Sequence, residues 1–292
     1  MTSGLDALLA ALYVFIDDHV PPRRRIGRPP KLSDAELLCL AVARVLLGLP
    51  SARHWLRFAH ARLRHLFPYL PQQSGYTKRL NAAGPLISCV IEALARQVPT
   101  WHDDLRLIDS TPLPCAASRE TAKRSALAGH AGYCCSHSRF FRGCRLYLLT
   151  TAESMPVTWC PASPKLGERE VMTALLERDH HLIRAGQVIL ADKGFAGREF
   201  EGFVTDRLGA HLVRPDRKDE PTRFGKIARV RQWIEAVIDT LKGQLTLEQH
   251  GGRTPAGVFA RTGQRLLAPA AAIWHNWTTN AKVKRSLIAY DH

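Results

Sequence analysis

Leu105-Arg-Leu-Ile-Asp109-Ser-Thr-Pro112 is the stretch that decides the fold. It follows some hundred residues of helical signals and is itself a short β-rich run, closed by a carboxylate and a turn signal. Val188-Ile-Leu-Ala-Asp192-Lys-Gly-Phe195 has the same form. One aspartate at a strand end is an ordinary turn residue, but a sheet can bring two of them side by side. A third carboxylate lies in Arg229-Val-Arg-Gln-Trp-Ile-Glu-Ala-Val-Ile-Asp-Thr-Leu-Lys242. On a helix at about 100° per residue, with Arg231 at zero, Glu235 falls at about 40° and Lys242 at about 20°. Ile227, Val230, Trp233, Ile234, Val237, Ile238, Leu241 and Leu245 fill the neighbouring apolar arc. Glu235 thus borders a buried stripe and has cations about one and two turns away. For a single helix, a surface ladder of ion pairs is the plainer account. Three carboxylates at one sheet edge repel unless cations fill the space between them, and two divalent ions on shared carboxylates serve phosphodiester chemistry in this way.

The segments between these landmarks supply the rest of a domain. Phe141 to Thr151 and Pro156 to Cys160 are expected strands, Gly167–His181 a helix, and Gln187–Asp192 a strand. Gly197–Leu208 is an expected helix, Ala210–Val213 a strand, and Phe224–Leu245 the long helix. The resulting order, βββαβαβα, is that of a ribonuclease H-like α/β domain, a mixed sheet flanked by helices. Residues 115–140 are expected to form an irregular basic excursion. Upstream, helices are expected at 3–18, Leu37–Leu47, Ala52–Phe67 and Tyr76–Val98, with a break at Gly84-Pro85. Ser33-Asp-Ala-Glu36 has the form of a capping box. The expected division is a helical basic domain over 1–99, a catalytic domain over 100–250, and a helical tail over 251–292 packed on the catalytic domain.

Asp109, Asp192 and Glu235 resemble the catalytic triad of the DDE transposases encoded by bacterial insertion sequences. Arg231-x3-Glu235-x6-Lys242 matches the last three members of a Tyr-x2-Arg-x3-Glu-x6-Lys signature in one large group. Ala228 stands where that signature has its Tyr, so no role for the ring carries over. Asp109-Ser-Thr-Pro and Ala191-Asp-Lys-Gly-Phe195 are similar to the first and second aspartate motifs. Gly-Arg-Pro-Pro-Lys-Leu-Ser-Asp, from Gly27, and His-Gly-Gly-Arg-Thr-Pro, from His250, are similar to one subgroup. The resemblance implies two Mg²⁺ ions, with Mn²⁺ able to substitute, held by Asp109, Asp192 and Glu235. It also implies cleavage of element ends and joining of 3′ ends to target DNA, with no covalent protein–DNA link. Arg231, Lys242 and Lys193 are the expected phosphate contacts, and double-stranded DNA with a second copy of the chain are the expected partners. A nuclease of the same fold without strand transfer, or a decayed copy that only binds DNA, are the alternatives.

Composition agrees with a polyanionic partner. The 292 residues carry a formal charge of +15, with 46% hydrophobic and 23% charged residues. Arg28, in Gly27-Arg28-Pro29, fits either a hook in a narrow A·T minor groove or a basic linker on phosphate. The N-terminus lacks the basic region of a secretory signal, and no run of about 18 apolar residues occurs. The seven scattered cysteines suit a reducing cytoplasm, so a nucleoid-associated bacterial protein is the expectation. His130, Cys134, Cys135 and His137 have no usual zinc spacing. Ser110 and Thr111 are expected to be turn residues, and Glu220 and Asp239 are the rivals to Glu235.

Overall fold

The computed structural model describes residues 3–21, 27, 29–116, 118–134, 139–217, 220–223 and 228–290; side chains are described for these except at 3, 139, 228–231 and 234. Five helices open the chain: α1 (Ser3–His19), α2 (Asp34–Leu46), α3 (Ala52–Arg62), α4 (Gln73–Asn81) and α5 (Gly84–Arg96). Then follow β1 (Leu105–Pro114), α6 (Arg119–Lys123), β2 (Ala131–Cys134), β3 (Arg139–Thr151), β4 (Pro156–Ala162) and α7 (Glu168–Arg178). The rest is β5 (Val188–Leu190), α8 (Arg198–Gly202), β6 (His211–Val213), α9 (Ala228–Asp239) and α10 (Pro255–Thr278). Two compact units result. One comprises Met1–Val98, Gly243–Gly252 and Ala256–His292; the other comprises Pro99–Lys242 and Arg253–Pro255.

The first unit is helical. Ser33 Oγ accepts from the Glu36 amide at 3.0 Å while the Glu36 carboxylate accepts from the Ser33 amide. Both bonds satisfy donors that the first turn of α2 leaves open. Nearly all of α2 is buried, and the Cys39 thiol donates to Leu9 O of α1 at 3.4 Å. α10 is also nearly all buried. Its Trp274 ring lies 5.0 Å from Phe15, and any Cβ on Gly84 of α5 would meet the Phe259 ring at 2.4 Å. The tail therefore belongs to the helical unit and not, as expected from its sequence, to the catalytic domain. An Ala-rich face that fits either unit has no sequence signal for which one it joins.

The second unit is built on a mixed sheet. β4, β3, β1, β5 and β6 lie in that order, and β2 pairs with the start of β3. β1–β3 and β3–β4 are antiparallel, while β1–β5 and β5–β6 are parallel. That is the ribonuclease H-like arrangement. Ile108, Tyr147, Leu149, Ile189, Met172, Leu176 and Phe200 form a core between one sheet face and α7 and α8. Leu107 and Leu190 face the other way, where Val237 and Ile238 of α9 pack beside Leu107, Leu148 and Thr150.

Three local differences from the sequence reading have physical reasons. β1 does not stop at Asp109 but pairs with β3 as far as Pro114. Cys115 N donates to Arg142 O, so the odd-numbered amides of β1 point at β3. Pro112 and Pro114 then point the other way, where pairing with β5 has ended at Leu107, and their missing N–H groups cost no ladder bond. The excursion contains β2, paired with Arg139–Arg142. Trp233, expected in the buried arc, is 43% exposed, because the apolar face meets the sheet one turn later, at Val237 and Ile238.

Candidate active site

Alternation along the strands sets where each carboxylate points. Ile108 and Ser110 share a face with α7, so Asp109 projects on the α9 face. Along β5, Ile189 and Ala191 go to the α7 core and Leu190 to the α9 face, which directs Asp192 to the same side as Asp109. The two aspartates are close enough to interact. Burial pushes the Asp109 carboxyl up to about 7; the Ser110 amide opposes this, Asp192 adds to it, and Arg145 and Lys242 also oppose it. The Ser110 amide donates to Asp109 Oδ1 at 2.7 Å. Asp192 Oδ1 is buried without a hydrogen-bond partner. Two neighbouring carboxylates, one raised by burial and the other with an enclosed oxygen that has no hydrogen-bond partner, suit a cation site.

Glu235 lies on α9 with an exposed side chain. Among the described residues, no three His, Cys, Asp or Glu side chains are gathered so as to hold one ion. The structure thus brings Asp109 and Asp192 within interacting distance, while Glu235 sits on α9, whose Val237 and Ile238 pack beside Leu107 and Asp109. Of its rivals, Glu220 is engaged: it accepts from Arg214 at 2.6 and 2.9 Å and from the Arg217 amide at 3.0 Å. Asp239 is exposed at the end of α9.

The cations are placed unequally. Lys242 acts on Asp109, from a π-helical turn, Thr240–Gln244, that replaces the regular helix assumed from the sequence. At the start of this turn the Thr240 hydroxyl donates to Ala236 O of α9 at 2.9 Å. Such a turn rotates following side chains relative to α-helical spacing and is frequent at functional sites. Lys193 is exposed directly after Asp192. The backbone of Arg231 lies in α9, while its side chain, like all of Arg28, falls outside the described residues.

Residues 100–268 match the family model described as Transposase DDE domain. The chain belongs to that family. The transposase chain is also similar to a solved structure, the cryo-EM structure of a piggyBac transposase synaptic complex with hairpin DNA. That similarity covers 98% of this chain and 77% of the other, at 10% identity and a TM-score of 0.48, too loose to bear on individual residues. Among curated proteins there is no match.

Two side chains near Asp109 belong to none of the sequence motifs. Arg145 of β3 donates to Ser110 Oγ at 3.0 Å and to Glu168 at the start of α7. Ser110 Oγ donates to Glu168 Oε1 at 3.1 Å. Ser110 is therefore a strand residue in a polar network, not a turn former. The available signal was Arg145 itself, a cation preceding the apolar run Leu146–Leu149. Cys134 is a free, buried thiol, and Cys135 and His137 lie outside the described residues. No described helix is long and apolar enough to cross a membrane.

Proposed function

We propose that this transposase cleaves DNA at the ends of a mobile element and joins the resulting 3′ ends to target DNA. In this reading Asp109, Asp192 and Glu235 hold two divalent cations, Mg²⁺ or in its place Mn²⁺. The observation that carries it is the Asp109–Asp192 pair, where one carboxyl is pushed up to about 7 by burial and the other has an oxygen enclosed without a partner. Cations held by these carboxylates would supply charge that activates the attacking water or 3′-hydroxyl and offsets the charge that builds on the phosphoryl group.

The chain's own residues do the rest. Lys242, whose charge already reaches Asp109, meets a phosphate oxygen next to the scissile bond, and Arg231 and Lys193 meet its neighbours. Because hydrolysis uses water and transfer uses the freed 3′-hydroxyl, no serine or tyrosine is needed as nucleophile, and the bond of Ser110 to Glu168 accords with that. The helical unit, with Arg28, holds the element ends, and two copies pair them.

The test is a reaction of the purified chain with Mg²⁺, a DNA fragment carrying the flanks of its own coding region, and a target plasmid. The reading expects cuts that leave 3′-hydroxyls and joined products, both lost with chelator. Cutting without joining would reduce the chain to a nuclease of this fold. Binding without cutting would leave a DNA-binding relic.

A further inference from the structure

β2 and β3 form a two-stranded ribbon whose two faces differ. Gly132, Cys134 and Phe141 turn inward: Cys134 and Phe141 are buried, and a Cβ on Gly132 would meet Pro164 at 2.4 Å. The other face carries two cross-strand pairs, Tyr133 opposite Phe140 and Ala131 opposite Arg142. Phe140 is 82% exposed and Tyr133 46%, with ring centroids 4.9 Å apart. Nothing in the catalytic reading uses these rings.

Their surroundings are cationic. Arg142 shares their face, and its carbonyl accepts from Cys115 N at 2.8 Å. The Cys115 thiol contacts Ser125 Oγ, which donates to Ala122 O. This ties α6, with exposed Arg119 and with Lys123 paired to exposed Glu120 at 3.2 Å, and the exposed Arg124 after it to the base of the ribbon, a net positive set. Gly143 sets where the ribbon leaves the sheet: its φ is +151°, and a Cβ there would lie 2.1 Å from Leu113 O. Along β3, Phe140 is eight residues from Leu148, the partner of Asp109. That is about 25 Å of strand, or about seven base pairs of duplex.

We propose that the outward face of this ribbon is a second DNA contact of the transposase, where Tyr133 and Phe140 stack on unpaired or unstacked bases and Arg142 meets the adjoining phosphate. Bare aromatic faces beside cations suit a nucleic acid with opened bases, because every base offers a face to a ring and the backbone offers charge. A contact between copies of the chain is disfavoured, since a stable one needs about 800 Å² on each partner, far more than two rings supply. The inference rests on the proposed DNA chemistry and adds a site that grips DNA away from the scissile phosphate.

The test uses the full chain, a 40-base-pair duplex, and the same duplex with a two-nucleotide gap opposite 2-aminopurine. Expected for the wild type are tighter binding to the gapped DNA and quenching of the probe. Tyr133→Ala with Phe140→Ala should lower affinity for the gapped DNA by at least about fivefold per ring and remove the quenching. The salt dependence should hold, because no phosphate contact is lost. Both rings are exposed, so the melting temperature should not move, and Tyr133→Phe with Phe140→Tyr should keep binding and quenching. A double alanine variant that binds and quenches as the wild type does would overturn the proposal. So would intact DNA binding with lost self-association in sedimentation, which would make the ribbon a contact between copies. A wild type that binds neither DNA would sink the transposase reading too, an outcome distinct because it needs no variant.

Discussion

At the scale of single residues, the chemistry falls to the neighbouring carboxylates Asp109 and Asp192 and to Glu235 in the proposed site. Asp109→Asn, Asp192→Asn and Glu235→Gln each remove the charge of a proposed ligand at nearly constant volume. Each should abolish cleavage and joining while leaving DNA binding within about twofold, as read by gel shift and product analysis. Glu235 is the proposed ligand whose nearest rival lies on the same helix, Asp239. If Glu235→Gln keeps activity while Asp239→Asn loses it, the third ligand lies one turn further on. Asp109→Asn should also make the protein more stable in chelator above about pH 7, by roughly 1–3 kcal/mol, because it removes a charge whose burial raises the carboxyl to about 7. Thermal melting checks this, and a loss of stability would mean that Asp109 is held for structural reasons.

At the scale of elements, the Arg214 network anchors the chain after β6. Arg214 is buried and bonded to Glu201 and Glu220. Its hydrogen bonds pull Glu220 down to about 2; Glu201 also stays below its ordinary value, because these bonds outweigh the opposing effect of burial. Carboxylates depressed in the folded state add stability that is complete above their unfolded value and fades as pH falls toward the folded one. Melting should therefore weaken between about pH 4.3 and pH 2, and Arg214→Ala should flatten that part of the curve. An unchanged curve would show that the network contributes nothing measurable. Elements were legible where one local pattern decided them: the runs ending in Asp109 and Asp192, the Ser33–Glu36 cap, the break at Gly84-Pro85. They were hidden where pairing decides. Pro112 suggests a stop until β3 fixes which amides point outward, and Ala131–Cys134 is four unremarkable residues until Arg139–Arg142 pairs with it. The π turn at Thr240–Gln244 has no sequence mark.

At the scale of the molecule, the order of segments sufficed to read the sheet, but not the place of the tail, which depends on a partner surface distant in sequence. The +15 charge makes a quantitative claim about DNA. Replacing Arg23, Arg24, Arg25, Arg28 and Lys31 with glutamine should flatten the log–log salt dependence of binding by up to about 4.5, at about 0.9 per phosphate contact. Substitution is preferable to deletion here, because α1 carries buried Leu5, Leu8 and Leu12. A slope that does not change would put this segment off the DNA. The central claim is that Asp109 and Asp192, joined by Glu235, form a two-ion site. Anomalous diffraction from crystals grown with Mn²⁺ and DNA tests it most directly. The account predicts two peaks about 3.5–4 Å apart, shared by Asp109 and Asp192, with Glu235 on one of them. Peaks elsewhere, or none at these aspartates with DNA bound, would contradict it.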